Sequence, residues 1–407
     1  MKLVATLAAV AFAAPALAQD KPAAEPAPSW HGGKPPAMAE STLHPFAPHM
    51  TGRAAKDLPV NTLKVPAGFK VEAWVDGIPE ARSLALGDNG TVFVSNRNAK
   101  NVYAVTDKGG KREVKTVLKG LDAPNGIVFN KGTLYVAERG RILRYDGIEG
   151  KLDNPGEPKV VVDKLDPNRQ AGHFWKYLAM GPDGKLYFNI GAPGNIVMPT
   201  YMEASIMRVD PNKGTLETVA QGVRNSVGIA FNPKNKDVWF TNHGRDWAGN
   251  DVPNDTLHRV AIKSAAVPNF GYPFCHQGNV QDPDFGKYHS CAQFAKPAQL
   301  LGAHIAPLGL KFYDGKMFPA EYQNNIFIAM HGSWNREIKQ GYNVMRVKLD
   351  EKGNASKPEP SLTGFLQDEK ADPPMWGRPV DVLVLKDGSM LVSDDYNGII
   401  YRVTYGK

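Results

Sequence analysis

The stretch Pro379–Val403 reads PVDVLVLKDGSMLVSDDYNGIIYRV and contains one complete unit of a pattern that recurs along the chain. An apolar run is followed by the tight turn Asp387-Gly388, a second apolar run, a polar loop and a third run that ends in Arg-Val. A short Asp-Gly turn between two apolar segments is typical of a β-hairpin. The stretch therefore predicts three consecutive antiparallel strands.

Five further copies of this unit precede it. They are Ser83–Val105, Pro124–Tyr145, Trp175–Asp210, Ser226–Val260 and Pro307–Val347. Repetition of an all-strand unit of this size is typical of a β-propeller, so six copies predict an all-β, six-bladed β-propeller. In such a fold the first strand of each blade lines a central axis. The loops that enter the first strands and leave the second strands meet at one end of that axis, where we expect the functional site.

The composition is that of an ordinary globular protein. The chain has 407 residues, of which 42% are hydrophobic and 22% charged, enough for a sizeable core. Its formal net charge is +7, but it contains no run of Lys and Arg, so the sequence does not indicate a nucleic-acid partner. The basic excess fits an anionic ligand, and charge spread over the surface is the alternative.

The N-terminal residues predict export. Residues 1–18 form a predicted signal peptide, in which Lys2 precedes the apolar run Leu3–Ala14 and Ala16-Leu17-Ala18 is the cleavage site. The apolar run is short for a membrane span, so we expect a periplasmic protein without stable membrane insertion; an uncleaved anchor is the alternative. Residues 19–57, rich in Pro and Ala, are a predicted flexible lead-in. The propeller domain is expected over residues 58–407.

The only two cysteines, Cys275 and Cys291, are close together in the sequence. In an oxidising compartment such a pair most often forms a disulfide. This disulfide would stabilise a long insertion between blades four and five, where the strand pattern is lost. A redox-active or metal-binding pair is the alternative, although the spacing matches no such motif.

A polar or charged residue precedes the expected first strand of every blade. These residues are Arg82, Asn125, His173, Arg224 with Asn225, His304 and Arg378. Loops that follow second strands add His243–Asp246 and His331–Arg336. Several cations at one end of the axis predict an anionic ligand, while strand capping is the alternative for any single residue.

Four histidines from four blades are expected at this same end: His173, His243, His304 and His331. The sequence has no HExxH spacing, so a side-chain zinc site has little support. An imidazole near several arginines has a lowered proton affinity. Such a group suits a general base at neutral pH.

Longer segments resemble the soluble glucose/sorbosone dehydrogenase family over about Leu63 to Val403, and most closely its sorbosone dehydrogenase-like branch. The segments that carry the resemblance are His173–Lys176, Met180–Gly184, Gly222–Asn225, Gly228–Phe231, Asn242–Asp246, Asn269–Pro273, His304–Gly309 and His331–Arg336. The Arg-Asn pair and the string HGSWNR are the most specific of these. The resemblance implies a six-bladed propeller that carries pyrroloquinoline quinone (PQQ) and calcium.

The resemblance also implies roles for individual residues. His173 stands at the place of the general base that takes the proton of the substrate hydroxyl group. Arg224 and Asn225 stand at the place of the pair that contacts the quinone carbonyls, and Arg224 would stabilise charge on the quinone oxygen. His304 and His331 are further candidates for cofactor contacts.

A metal site and two carboxylate contacts follow from the same resemblance. Backbone carbonyl groups of Gly244 and Arg245 would bind Ca²⁺, which prefers oxygen ligands. Arg378 would pair with a PQQ carboxylate. Arg336 replaces a lysine that holds the cofactor in the glucose-oxidising members.

These features predict a PQQ- and calcium-dependent dehydrogenase that oxidises an aldose or a sugar aldehyde such as sorbosone. The chain has no CxxCH haem motif, so electrons are expected to pass to a separate periplasmic acceptor. Two positions depart from the glucose-oxidising branch. Gly172 replaces an acidic residue, and Leu121–Asn125 lacks a glutamine, which argues against glucose as the substrate.

The sequence is also compatible with two other functions. A calcium-dependent lactone hydrolase could use the axial side chains of Glu138, Asn125, Asn225 and Asp394, although a cluster of arginines would compete with the metal. A non-catalytic propeller that binds a ligand or a protein is the second alternative, because a fold does not determine a function.

Overall fold

The computed structural model describes residues 52–165, 173–264 and 266–406. The predicted signal peptide and most of the predicted lead-in lie outside these residues. Within them the helices are five short 3₁₀ segments: Ala55–Asp57, Val60–Thr62, Ile148–Gly150, Cys291–Gln293 and Ala320–Tyr322. No helix in this described part has both the length and the apolar character needed to cross a bilayer.

Strands make up the rest of the regular structure. In chain order the strands are β1 (Phe69–Val75), β2 (Leu84–Leu86), β3 (Val92–Ser95), β4 (Val102–Lys108), β5 (Lys111–Leu118), β6 (Gly126–Asn130), β7 (Thr133–Ala137), β8 (Ile142–Asp146), β9 (Lys159–Val162), β10 (Leu178–Met180), β11 (Leu186–Ile190), β12 (Ser205–Val209), β13 (Leu216–Gln221), β14 (Ile229–Phe231), β15 (Val238–Asn242), β16 (Asn254–Val260), β17 (Cys275–His276), β18 (Val280–Gln281), β19 (Gln299–Ala303), β20 (Pro307–Phe312), β21 (Ile326–Met330), β22 (Asn343–Val347), β23 (Glu359–Leu362), β24 (Pro379–Val384), β25 (Met390–Asp394) and β26 (Ile399–Tyr405).

Six four-stranded antiparallel sheets confirm the six-bladed propeller. Blades one to three are β2–β5, β6–β9 and β10–β13; blade four is β14–β16 with β19; blade five is β20–β23; blade six is β24–β26 with β1. The six sequence repeats correspond to the first three strands of each blade. The outer fourth strands carry no such repeat.

The ring is closed by strands from opposite ends of the described chain. β1 pairs antiparallel with β26, with Phe69 opposite Tyr405 and Val71 opposite Val403. Blade six therefore takes its outer strand from the start of the propeller. The backbone hydrogen bonds of this pair hold the segment that leads into blade one against the last strand of blade six.

The hairpins within the blades end in the turns that the sequence predicts. Gly90 and Gly388 have φ angles of +93° and +86°, a left-handed conformation that glycine adopts without steric cost. Each lies between the first and second strands of its blade, where a tight turn reverses the chain.

The first strands of the blades surround the axis and contact one another. Near one end of the axis, Val227, Leu308 and Val380 form a small buried apolar cluster. The hydroxyl group of Tyr177 donates a 3.0 Å hydrogen bond to Asp381 Oδ1 in the buried interior. Burial raises the pKa of Asp381 to about 6.

The predicted disulfide is confirmed, since Cys275 is bonded to Cys291 with their Cα atoms 5.6 Å apart. Its position in the fold differs from the expectation. The insertion that contains it lies between β16 and β19, which are both strands of blade four, and not between blades four and five. The sequence hides this because β19 follows the irregular segment and repeats no recognisable pattern.

Candidate active site

A cavity at one end of the axis collects side chains from five of the six blades. About 830 Å³ of space lies between its walls, part of it open to solvent. Its lining includes Arg82, Arg97, His173, Trp175, Arg224, Asn225, His243, Gly244, Asp246, Asp255, His304, His331, Trp334, Asn335 and Arg378. Apart from Asp255, which lies on β16, these residues belong to the two sets of loops that the sequence places at a common end.

Most of the predicted site residues lie in this lining, with two exceptions among those given a ligand role. The Arg245 side chain is directed to Asp282, 2.7 Å away, on the disulfide-bonded insertion. Arg336 donates to the main-chain oxygens of Asn250 and Ile338. The contacts of both guanidinium groups are therefore with the protein.

Blade two contributes no side chain to the lining. Asn125 instead accepts a 2.5 Å hydrogen bond from Arg82 Nε and donates to the carbonyl of Lys176. Glu138 accepts hydrogen bonds from the main-chain N–H of Asp122 and from Arg141. Both residues of blade two support neighbouring loops.

Hydrogen bonds distinguish the four cavity histidines. His243 accepts from Asn225 Nδ2 at its Nδ1 and donates from Nε2 to the Pro307 carbonyl. His304 contacts Asn335 Nδ2 through Nδ1, while its Nε2 faces the carbonyls of residues 249 and 252. Both rings are therefore occupied on both nitrogens, and neither can exchange a proton with a ligand without giving up a bond.

His173 keeps one nitrogen available. Its Nδ1 lies 3.0 Å from the Ala192 carbonyl oxygen, which can only accept, so Nδ1 carries the proton and Nε2 carries the lone pair. Burial and the charge of Arg224 lower the pKa of His173 well below its usual value of 6.5. The ring is therefore neutral near pH 7, and its Nε2 is a base without a protein partner among the described residues.

His331 is held by a carboxylate. Its Nε2 donates to Asp395 Oδ1 at 2.8 Å, and Arg82 pairs with the other oxygen of Asp395 at 2.5 Å. Burial alone would raise the pKa of Asp395, but the contacts with His331 and Arg82 outweigh it and hold this pKa well below the usual range. Burial, with the nearby charge of Arg378, lowers the pKa of His331 to about 3. His331 is therefore a neutral ring fixed by an ionised Asp395.

Arg224 is positioned by three hydrogen bonds. Its Nε donates to the Asn195 carbonyl at 2.8 Å, and its Nη2 donates to Asn195 Oδ1 and to Asp246 Oδ2 at 2.9 and 2.7 Å. The remaining nitrogen, Nη1, has no partner among the described residues. Arg224 is 2% exposed and lines the cavity, so this nitrogen is the donor that a ligand oxygen could use.

Two more side chains in the lining are only partly satisfied by protein partners among the described residues. Arg378 is 4% exposed, and its side chain makes one 3.3 Å hydrogen bond from Nε to the His331 carbonyl and no ion pair within the described residues. Asn225 uses Nδ2 for His243, and its Oδ1 is buried without a partner. Buried polar groups are nearly always satisfied in native proteins, so both observations indicate a ligand.

The described residues contain no group of three or more His, Cys, Asp and Glu side chains that could hold a metal ion. Asp255, which lines the cavity, is already engaged by the main-chain N–H groups of Gly244 and Ala306. Burial raises the pKa of Asp255 to about 7. A cation at Gly244 and Arg245 would therefore depend on backbone oxygens.

The residues that hold the site together were not assigned these roles from the sequence. Asp246 accepts from Arg224 and from Asn335 Nδ2, which joins blades four and five. Asn195 receives Arg224 and also bonds to the main chain of Asp246. Trp334 packs edge-on against Trp247 with 5.0 Å between ring centroids. The signal for Asp246 was its position next to Gly244-Arg245, and that for Asn195 was its place in the loop after the second strand of blade three.

Several known proteins share this fold. The calcium-containing structure of a Trichoderma reesei enzyme of carbohydrate-active family AA12 matches with a TM-score of 0.76 at 19% identity, over 86% of this chain and 98% of that one. The holo PQQ domain of pyranose dehydrogenase from Coprinopsis cinerea matches with a TM-score of 0.72 at 21% identity, over 84% and 97% of the two chains. At these identities the likeness shows the fold.

Sequence comparison gives relatives in bacteria and fungi. A Borreliella burgdorferi protein described as uncharacterized is 33% identical over 365 residues, which is 87% of this chain and 93% of the relative. The PQQ-dependent pyranose dehydrogenase of Coprinopsis cinerea is 25% identical over 334 residues, 70% of this chain and 44% of that enzyme. The TrAA12-like family model matches residues 63–406, which spans the whole propeller. The chain therefore belongs to the TrAA12-like family.

Proposed function

We propose that this chain is a PQQ-dependent dehydrogenase that oxidises sugars and uses Ca²⁺ at the cofactor site. The observation that carries the proposal is one cavity that contains both a buried Arg378 and a neutral His173. Among the described residues, Arg378 has no carboxylate partner and His173 Nε2 has no hydrogen-bond partner. An anionic cofactor needs a cation such as Arg378, and removal of a hydroxyl proton needs a base such as His173. The relatives that bind PQQ or oxidise pyranose support the same assignment.

The donor set of the cavity fits PQQ. The cofactor is planar and carries three carboxylates, and the Nη atoms of Arg378 have no acceptor of their own among the described residues. Guanidinium N–H groups bind carboxylates in parallel pairs. Arg224 Nη1, and the N–H of Asn225 Nδ2 that His243 does not use, are the donors available for the quinone oxygens. His331 and His304 line the same cavity and complete its walls.

When bound, the quinone would supply the two-electron oxidant for the reaction. His173 Nε2 accepts the proton from the hydroxyl group of an aldose or of an aldehyde hydrate, since its lone pair is the one unshared ring site that the Ala192 bond leaves. Arg224 Nη1 would donate to a quinone oxygen and stabilise negative charge there. Asp246 and Asn195 fix Arg224 in place before the substrate arrives.

For calcium, we propose the backbone carbonyls of Gly244 and Arg245 as protein ligands. Gly244 lines the cavity, and Arg245 anchors the same loop through Asp282. Ca²⁺ is commonly bound by carbonyl oxygens. The cation would place positive charge beside the cofactor and would act as a Lewis acid. The AA12 structure that contains calcium supports this assignment.

The finer parts of the assignment stay predictions. We propose export to the periplasm through the signal peptide, which the disulfide supports because such bonds persist in oxidising compartments. The electron acceptor is then a separate periplasmic carrier. A sugar aldehyde such as sorbosone is the proposed substrate class beside aldoses. No sorbosone enzyme is among the relatives described above, so substrate choice rests on the sequence resemblance.

The lactone hydrolase alternative receives less support. It requires side-chain oxygens on the axis that are free to bind a metal. Asn125 is engaged with Arg82, and Glu138 with Asp122 and Arg141. Asp394 accepts hydrogen bonds from Asn397 and Tyr401. Three of the four candidate ligands are therefore occupied by the protein.

The test is a calorimetric titration of PQQ-free protein with PQQ in calcium buffer, followed by dye-linked oxidation of a panel of aldoses and sugar aldehydes on the same sample. Tight, calcium-dependent binding with turnover is the expected result. Binding without turnover would favour the non-catalytic propeller. Absence of PQQ binding would overturn the cofactor assignment and make lactones the next substrates to assay.

A further inference from the structure

Arg97 follows the second strand of blade one and is a cation in the cavity wall that the proposed function does not use. It is 6% exposed and lines the cavity. Its guanidinium carbon lies 4.4 Å from the centroid of the Trp175 ring. Stacking of this kind uses the face of a guanidinium group and leaves the N–H groups at its edge for hydrogen bonds.

The edge of the Arg97 guanidinium lacks the acceptors that a buried arginine requires. Within the described residues its one ion pair is a 3.4 Å contact from Nη2 to Glu80. The Glu80 carboxylate is already shared with the main-chain N–H groups of Asn98 and Ala99 and with Asn98 Nδ2, at 2.5 to 3.1 Å. Among the described residues, Arg97 Nε is buried without a partner and Nη1 donates to none.

A second unsatisfied donor lies beside this group. Trp175 Nε1 is also buried without a hydrogen-bond partner in the described part of the chain, and Trp175 lines the same cavity. Unsatisfied buried donors are uncommon in native proteins. Two of them on stacked neighbours favour a ligand group with more than one acceptor oxygen.

The surrounding charges favour an anion at this place. Arg82 is neutralised by Asp395 at 2.5 Å. Burial lowers the pKa of Arg82 to about 10, Asp395 opposes this shift and the charge of Arg97 adds to it. The field of Arg97 thus reaches its neighbour, and an anion bound at Arg97 would relieve the repulsion.

We propose that Arg97 and Trp175 form a carboxylate-binding position in the axial cavity, separate from that of Arg378. The ligand group is a carboxylate with two acceptor oxygens, which matches the guanidinium edge and the indole N–H. The inference rests on the proposed function, because that function offers two sources for the group. It belongs either to the quinone cofactor or to an acidic sugar such as a hexuronate.

The experiment compares Arg97→Gln with the matched control Arg112→Gln. Arg112 also lies over a tryptophan, with its guanidinium carbon 5.2 Å from the Trp74 centroid, but it is not part of the cavity lining. Calcium-loaded, PQQ-free protein is titrated by calorimetry with PQQ. The PQQ-loaded protein is then titrated with glucuronate and with glucose, so that binding is measured without any need for turnover.

The two sources give different results. If the cofactor supplies the carboxylate, Arg97→Gln raises the Kd for PQQ about 10- to 100-fold, the loss expected for a charged hydrogen bond, and leaves the ratio of glucuronate to glucose affinity unchanged. If the substrate supplies the carboxylate, the Kd for PQQ stays within twofold of the wild-type value. The ratio of glucuronate to glucose affinity then falls about 10- to 100-fold. In both cases, Arg112→Gln leaves the Kd for PQQ and the ratio of glucuronate to glucose affinity unchanged.

Other results would overturn the position. One such result is a Kd for PQQ equal to that of the wild type in Arg97→Gln, combined with unchanged glucuronate binding or with no glucuronate binding in either protein. It would show that Arg97 binds no carboxylate, and the proposed function would stand. Wild-type protein that takes up no PQQ would overturn both. If a thermal melt shows that Arg97→Gln does not fold, Arg97→Lys is measured instead. Lysine keeps the positive charge but lacks the paired N–H groups of the guanidinium edge, so we expect the affinity to fall by at least fivefold.

Discussion

His173 Nδ1 lies 3.0 Å from the carbonyl oxygen of Ala192, and this bond leaves Nε2 as the free lone pair in the cavity. Replacement of His173 by Gln should therefore lower kcat by roughly 10²- to 10⁴-fold, the usual range for a general base, and leave the Kd for PQQ nearly unchanged. Steady-state kinetics and calorimetry measure the two effects. His289→Gln, on a ring that stacks on Phe274 outside the cavity lining, is the matched control. A kcat for His173→Gln equal to that of the control would remove the assigned role.

The same histidine predicts the shape of the pH profile. Burial and the nearby Arg224 lower the pKa of His173 well below 6.5, and the base works only when neutral. We therefore expect kcat/KM to be level from about pH 6.5 to pH 8 and to fall only in more acidic buffer. A limb centred at or above pH 6.5 that disappears in His173→Gln would contradict this assignment of the pKa.

Arg224 should contribute to the rate more than other arginines. Its Nη1 faces the cavity, while Asn195 and Asp246 hold its other nitrogens. Arg224→Ala is expected to lower kcat about 10²- to 10³-fold, as for loss of a donor to a developing oxyanion. Arg144→Ala, which removes a guanidinium that pairs with Asp146 outside the cavity, is the control. Equal effects of the two changes on kcat would exclude the proposed role.

Buried histidines should make the fold sensitive to acid. Burial lowers the pKa of His258 to about 3, so this ring stays neutral in the folded state while it binds a proton below pH 6.5 in the unfolded chain. The stability that depends on the neutral ring is complete above pH 6.5 and is lost as the pH falls towards 3. At pH 5 the loss is roughly 2 kcal/mol for this one group.

Urea unfolding of His258→Gln at pH 8 and pH 5 tests this linkage. The glutamine cannot titrate and can still reach Thr256, which lies 2.7 Å from His258 Nε2. The difference in free energy of unfolding between the two pH values should shrink by roughly 2 kcal/mol relative to wild type. An unchanged difference would mean that His258 is charged in the folded protein or titrates with an ordinary pKa.

The sequence was sufficient for the blades because each repeat obeys a local rule. Asp387-Gly388 sets a turn, and the apolar runs on either side form the strands. The outer strands follow no such rule: β5 reads KREVKTVL, and only its last two residues are buried. The pairing of Phe69 with Tyr405 that closes the ring joins residues from opposite ends of the propeller, and no local pattern can indicate it.

The site shows the same division between local and tertiary information. His173, Arg224 and Arg378 could be placed because each precedes a first strand, and first strands surround the axis. Which cations keep their donors free could not be predicted, because that depends on where distant carboxylates lie in the fold. Asp282 forms an ion pair with Arg245, whereas no carboxylate among the described residues pairs with Arg378.

Asp282 and Asp284 offer a matched pair for the energetics of the disulfide-bonded insertion. Both contact Arg245 Nη1, at 2.7 and 3.2 Å, but the Asp282 side chain is fully buried and also accepts from His276, whereas that of Asp284 is 35% exposed. Asp282→Asn should lower the free energy of unfolding by about 3–5 kcal/mol, the cost of breaking a buried ion pair. Asp284→Asn should lower it by less than about 1 kcal/mol, because water screens an exposed pair. Urea denaturation of both variants measures the difference, and equal losses would show that burial does not decide the strength of these contacts.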